Sequence, residues 1–387
     1  MDKERYIFEK FRSKLNGDDC AVIGERAYCK DLFVEGVHFR RGWLSLREIG
    51  AKAMLVNISD MIATNARAKY ALLGLALSRE IGTREIDELC AGVSETAREW
   101  GIRIIGGDTI GSDRIALSVS LIGKCKRPVF RSGARVGDLI AHTGELGSVG
   151  RDLAVLLRDE IYPASLQTQN RDGKISSAQG SSDEVRSSGD KISPARAEPQ
   201  SLDAEISVQN STAENSTRNF MTQNLGAGNS AAQESQSASR APQSSAANST
   251  SQSQACGGSV FDLREDLRAQ ISKNSRFVRP VLRDKFFYKA AKLISAAMDI
   301  SDGLAQDLPR LLEASGVGAR YLARPSEAAM QSGEEYEILF SFAPKFLPKI
   351  YAIAAKTGVS INIIAEVCPR TPQSSMEFCG SSHHFAP

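Results

Sequence analysis

The sequence predicts an α/β protein of two domains. Three observations carry that prediction. Apolar runs of strand length alternate with longer stretches of helical periodicity along most of the chain. The 387 residues, 42% of them apolar, are enough for two ordinary cores and a connecting segment. Acidic residues recur at the ends of apolar runs, often beside glycine: Gly17-Asp18-Asp19, Asp31, Ser59-Asp60, Gly106-Gly107-Asp108-Thr109 and Asp299-Ile300-Ser301-Asp302-Gly303. Asp-Gly alone marks a turn, and it is the recurrence that gives the pattern weight. Carboxylates so placed suit a hard cation such as Mg²⁺, which takes oxygen ligands. Asp299 and Asp302, three apart across a turn, are expected to aim at one point.

The elements follow in order. Residues 6–15 carry apolar Tyr6, Ile7, Phe8, Phe11 and Leu15, a short amphipathic helix. Residues 20–23 and 28–34 read as strands, the second carrying Asp31 and leading to His38. A helix is expected over 46–65, with Ile49, Ala53, Met54, Val56, Asn57 and Met61 at helical spacing. Asp60 lies within it, and a carboxylate on so apolar a helix needs a cation, either a metal or the side chain of Lys52 or Arg67. A strand at 71–78 precedes a helix at 83–101, capped by Thr83, with Ile86, Leu89, Val93 and Ala97 facing inward. A strand at 102–105 runs into a Gly106-Gly107 loop, where glycine lets backbone approach an anion closely. Residues 115–122 form another strand, and 123–128 a boundary, so the first domain is expected at 1–128 and the second at 129–387.

In the second domain Arg131 is placed to clamp phosphate oxygens. A strand at 139–143 and a helix from Arg151 follow. Over 164–259 Ser, Gln, Asn and Ala dominate, and large apolar residues nearly vanish. Such a tract cannot bury enough surface to offset its ordering entropy, so a disordered insertion within the second domain is expected. Helix (286–296), strand (297–300), helix (304–315), strand (338–342), helix (346–357) and strand (359–367) complete the pattern.

A net charge of +2 argues against a nucleic-acid surface. No apolar run approaches the roughly 20 residues of a membrane span, and the first residues lack the apolar core of a secretion signal. Seven scattered cysteines without metal-type spacing read as free thiols, hence a cytoplasmic protein.

Taken in sequence, Gly-Asp-Asp-Cys-Ala-Val-Ile (17–23), Val-Glu-Gly-Val-His-Phe (34–39), Lys-Ala-Met-Leu-Val-Asn-Ile-Ser-Asp (52–60), Gly-Gly-Asp-Thr (106–109), Arg-Ser-Gly-Ala-Arg-Val-Gly-Asp (131–138), Met-Asp-Ile-Ser-Asp-Gly-Leu (298–304) and Gly-Glu-Glu-Tyr-Glu-Ile (333–338) resemble thiamine-monophosphate kinase. The order matches throughout, over nearly the whole chain outside the insertion. The resemblance implies a two-domain fold of the aminoimidazole-ribonucleotide-synthetase type, whose first sheet pairs with its copy into a barrel across a homodimer. It implies direct, in-line transfer of phosphoryl from ATP to thiamine monophosphate, with several Mg²⁺ ions. It places Asp19, Asp31, Asp60, Asp108, Asp299 and Asp302 on metal, Gly107, Asp108, Arg131 and Ser301 on ATP, and His38 and Glu334 on thiamine monophosphate.

The chain departs from the family pattern at three places. Cys29-Lys30 stands where hydroxyl residues usually precede the aspartate. Ser332-Gly333-Glu334-Glu335 replaces Gly-Gly-acid-Asp. The tail aromatic that stacks on thiamine has two candidates, Phe378 and Phe385. Two alternatives remain, one from the same superfamily and one from a different class. A selenophosphate synthetase needs a reactive Cys with a nearby Lys in a glycine-rich N-terminal segment, which Cys20 fits poorly. A non-catalytic nucleotide-binding scaffold has no need of all six aspartates.

Overall fold

The computed structural model describes residues 3–161, 271, 274–372 and 374, all of them in one unit of the fold. The insertion expected at 164–259, Phe378, Phe385 and the tail lie outside the described residues.

The first sheet is built from β1 (Ala21–Ile23), β2 (Arg26–Val34), β3 (Arg67–Ser78), β4 (Arg103–Ser112) and β5 (Ala116–Lys124), in the order β1-β2-β5-β3-β4. All neighbours are antiparallel except β3 and β4. That parallel pair is joined through α3 (Thr83–Glu99), as parallel strands need a crossover. On β5 the period-two alternation buries Leu117, Val119 and Leu121 on one face. On β2 the same alternation buries Ala27, Cys29 and Phe33 and carries Asp31 on their side, while Lys30 is exposed.

Against this face lies α2 (Leu46–Ala63), thirteen of whose 18 residues are buried, so it is a core helix and not a surface one. Ser45 starts it with a capping box: its Oγ accepts from Glu48 N–H at 3.3 Å, and Glu48 Oε2 accepts from Ser45 N–H at 2.8 Å. α2 and α3 meet backbone to backbone. A Cβ at Gly50 would lie 2.3 Å from Leu89 O, and one at Gly92 would lie 1.9 Å from Arg47 O. α3 is capped at Gly82, whose N–H donates to Glu85 Oε2 at 2.9 Å, and not at Thr83, the expected cap.

The second sheet runs β7-β9-β6-β10-β8, antiparallel throughout: β6 (Leu139–Thr143), β7 (Ile294–Asp299), β8 (Gly318–Tyr321), β9 (Ile338–Phe342) and β10 (Ile361–Cys368). β6 precedes the undescribed segment, yet lies between β9 and β10, which follow it. The helices α4 (Ser148–Ile161), α5 (Asp284–Ala290), α6 (Leu304–Ser315), α7 (Glu327–Gln331) and α8 (Leu347–Thr357) complete this half, and a short α1 (Lys3–Lys10) starts the chain. α5 ends at Ala290 and not at 296, because Ile294 onward pairs with β9.

Two fully buried glutamates staple this half together. Glu335 accepts from Gly147 N–H (2.7 Å) and Val149 N–H (3.2 Å) at the start of α4, and pairs with Arg276 Nη1 at 3.0 Å. Glu337 accepts from Arg283 Nε (2.7 Å), Arg276 Nη2 (2.9 Å) and Thr143 Oγ1 (2.5 Å). Both charges are thereby matched, as buried carboxylates require.

Candidate active site: a carboxylate cluster

Three segments far apart in sequence bring Asp19, Asp60 and Asp299 together, with one oxygen of each within 4.8 Å of the others. Asp19 stands in the turn before β1, a turn entered through Gly17 at φ 110°. Asp60 lies in the last turn of α2, and Asp299 is the last residue of β7. Ser59, next to Asp60 on α2, donates its hydroxyl to Asp299 Oδ2 at 2.6 Å and so links helix to strand. Asp31 adds its charge nearby. Among the described residues no side chain donates a hydrogen bond to the Asp60 carboxylate. Lys52 pairs with Glu334 instead, and Arg67 lies over the Tyr288 ring at 4.0 Å, so neither alternative cation serves Asp60.

Burial pushes the Asp60 carboxyl well above its ordinary range, and the charges of Asp31, Asp299 and Asp19 push it further. Asp299 is raised by burial and by Asp19, against the lowering effect of the Ser59 hydrogen bond. Asp19 is raised by burial despite Arg131. An all-oxygen donor set of mutually repelling carboxylates fits a hard dication.

A carboxyl whose folded pKa is raised gives its full stability below its unfolded value, near 4, and loses it as pH climbs through the folded value. The melting temperature without divalent cations is therefore expected to fall as pH rises above the ordinary carboxylate range, and added Mg²⁺ to raise it most on the alkaline side. Scanning fluorimetry with EDTA and with Mg²⁺ checks this. A Mg²⁺ shift independent of pH would contradict it.

The stretch after β7 does not aim Asp302 into the trio. Arg310 Nη1 donates to Asp302 Oδ2 and, at 3.0 Å, to Asp307 Oδ1. Asp307, fully buried, accepts the N–H groups of Ser301 and Asp302 on its other oxygen, both at 3.1 Å. Burial first, and Asp302 second, push the Asp307 carboxyl up to about 7. Gly303 opens α6 at φ 98°, where a Cβ would also meet Met330 O at 3.1 Å. Asp307 and Arg310 are inconspicuous in the sequence. Their only signal is an acid and a base three apart in the first turns of a helix.

Arg131 meets the cluster directly: its Nε and Nη2 donate to Asp19 Oδ1 at 2.9 and 2.6 Å. Its own carbonyl accepts from Ser315 Oγ at 2.9 Å, at the end of α6. Glu334 has a left-handed backbone (φ 55°), donates its N–H to Ser301 O at 2.6 Å and pairs with Lys52 Nζ at 2.7 Å. His38 Nδ1 accepts from Val34 N–H at 3.1 Å, and its ring lies 5.4 Å from Phe33. Tyr336 is buried, also with a left-handed backbone (φ 50°), and its hydroxyl pKa is raised by burial and then by Glu334, Asp31, Asp299 and Asp60.

Gly107 and Asp108 lie in the middle of β4, exposed, and not in a loop. The glycine serves strand packing: a Cβ at Gly107 would lie 1.8 Å from Leu73 O on β3. A cavity of about 850 Å³ opens near the ends of β2, β3 and β4, lined among others by Arg40, Trp43, Arg79 and Asp113; none of the predicted site residues lines it.

Known proteins resemble this chain in sequence and in fold. The thiamine-monophosphate kinase of Aquifex aeolicus is 33% identical over 169 residues, which is 41% of this chain and 54% of that protein. The thiamine-monophosphate kinase of Rhodopirellula baltica is 35% identical over 179 residues, covering 42% of this chain and 57% of that protein. The chain thus spans little more than half the length of these relatives. The solved structure of AaThiL complexed with AMPPCP and TMP superposes with a TM-score of 0.59 at 22% identity, covering 95% of this chain and 90% of that one. The shared fold is therefore the mixed α/β one with two sheets. The family models of AIR synthase related protein match residues 17–125 with the N-terminal domain and 252–374 with the C-terminal domain. With more than half of its residues matched by these two models, the chain belongs to the AIR synthase related protein family.

Proposed function

We propose that this protein transfers the terminal phosphoryl group of ATP to thiamine monophosphate, giving thiamine diphosphate and ADP. The convergence of Asp19, Asp60 and Asp299 is the observation that carries this reading. The likeness to two thiamine-monophosphate kinases supports the choice of acceptor. Bound Mg²⁺ supplies charge neutralisation between the phosphates of two anionic substrates. In this reading Asp19, Asp31, Asp60, Asp108, Asp299 and Asp302 hold cations, and Gly107, Asp108, Arg131 and Ser301 contact ATP. His38 and Glu334 hold thiamine monophosphate. Arg131 is engaged by Asp19; with Asp19 on a cation, the guanidinium would be available to a phosphate. No general base is assigned, because an acceptor phosphate is already ionised near neutral pH. Transfer is direct, with positioning and electrostatics as the protein's main contribution.

The same reading divides the chain into domains 1–128 and 129–387 and makes it a homodimer whose first sheet pairs into a barrel with its copy. In support, β4 is a sheet edge with Ile104, Ile105 and Ile110 exposed, an edge that monomers normally blunt. Cys20, Cys29, Cys90, Cys125 and Cys368 are free thiols, which suits the cytoplasm.

The test is ADP release in a coupled assay, with the protein's mass first measured by light scattering. Turnover that requires both thiamine monophosphate and Mg²⁺ is expected. ADP release unaffected by thiamine monophosphate would sink the assignment.

A further inference from the structure

Lys52 is fully buried on α2, a rare place for an ammonium unless it is paired. Its hydrogen-bond partner among the described residues is Glu334 Oε2, at 2.7 Å. Its remaining surroundings include two aromatic faces, Phe277 at 4.1 Å and Phe33 at 5.8 Å from the ring centroids. Phe33 in turn lies against His38. The cation therefore touches one residue assigned to the phosphate acceptor, Glu334, and shares the Phe33 ring with the other, His38. Glu334 itself adopts a left-handed backbone, unfavourable for a side chain of its size and kept only where surroundings over-determine it. Two contacts do so here: its N–H to Ser301 O at 2.6 Å and its carboxylate to Lys52. Lys52 and Asp60 stand on one rigid helix, about 12 Å apart along its axis. The pair thus ties the Glu334 carboxylate to the helix that carries a cluster ligand.

We propose that Lys52 is a positioning residue: by holding Glu334 Oε2 it fixes the carboxylate so that Oε1 accepts an N–H of a cationic, phosphate-bearing acceptor. This rests on the thiamine monophosphate reading above. Lys52 acts through Glu334 and touches neither the nucleotide nor the transferred group.

The experiment is a double-mutant cycle on the full chain with wild type, Lys52→Met, Glu334→Gln and the double variant. Calorimetry measures thiamine monophosphate binding in the presence of Mg²⁺ and AMPPCP, and AMPPCP binding alone; steady-state kinetics give KM and kcat. Lys52→Met is expected to weaken thiamine monophosphate binding about 10- to 100-fold, the scale of misplacing one charged hydrogen bond. AMPPCP affinity is expected to stay within about 3-fold, with the kinetic loss mainly in KM. The double variant is expected to match Glu334→Gln within about 3-fold, since a positioning residue loses its effect once its target is gone. Because removing both charges leaves no unpaired ion, the double variant should fold even if Lys52→Met does not. In that case its match to Glu334→Gln alone decides. Multiplicative losses, wild-type-like binding by Lys52→Met, or a double variant that fails to fold would overturn the proposal. A wild type that binds AMPPCP but not thiamine monophosphate would instead bring down the kinase reading, and this proposal with it.

Discussion

Asp60→Asn is expected to abolish phosphoryl transfer while making the cation-free protein more stable. Asp60 faces Asp31, Asp299 and Asp19, and burial already drives its carboxyl well above the ordinary range. No side chain among the described residues donates to it. An uncharged isostere removes that repulsion without opening a cavity. A gain of about 1–2 kcal/mol is in scale for relieving one unpaired, partly buried charge. At roughly 2–4 °C per kcal/mol the melting temperature in EDTA should rise by a few degrees. The same change removes a cation ligand, and turnover should fall by about 10³-fold or more, the scale of losing a charge-stabilising group in phosphoryl transfer. The stabilising effect of Mg²⁺ should shrink with it. An asparagine variant that melts lower in EDTA, or that keeps wild-type turnover, would make Asp60 a structural residue.

The second large effect lies away from the cluster. Arg283→Ala is expected to destabilise the fold by about 3 kcal/mol or more, because it strips two hydrogen bonds from the fully buried Glu337 carboxylate. Arg276 and Thr143 remain, so the charge is left partly matched and not abandoned. Arg320→Ala is the control: its pair with Glu366 spans 3.0 Å but is largely exposed, and such pairs contribute little. Urea titrations of the two variants separate them. Equal midpoints would mean that the buried network is not what staples β6, β9 and the start of α4.

Much of this architecture is legible in the residues, and the failures have physical causes. α6 (Leu304–Ser315) and β9 (Ile338–Phe342) match their expected bounds. The first is bracketed by glycines, and the second is an unbroken apolar run. The Gly106-Gly107 segment reads as a loop because paired glycines usually mark one; here they serve close strand approach, which depends on β3 and leaves no local trace. Nothing within residues 286–296 breaks a helix, so its end at Ala290 is set by pairing with β9, a tertiary effect.

The site divides in the same way. Asp19, Asp60 and Asp299 announce themselves by residue type and position, and the structure gathers them. Asp302 belongs to the same motif, yet Arg310 and Asp307 draw it aside. Their spacing on α6 permits that contact without dictating it. Lys52 is visible as a charge in an apolar helix, but its partner lies 282 residues away, beyond any local pattern.

The facing glycines of α2 and α3 bear on how this centre can drift. Gly50 has no room for even one carbon, since the carbonyl of Leu89 occupies the place a Cβ would take. Adding a methyl there would pry the two helices apart at their tightest point. Asp60 lies about 15 Å further along the same rod, so the tilt would be magnified at the cluster and would carry Ser59 along. The alignment of an acidic pocket thus hinges on two absent side chains, and a substitution that never touches a ligand could throw the whole assembly out of true.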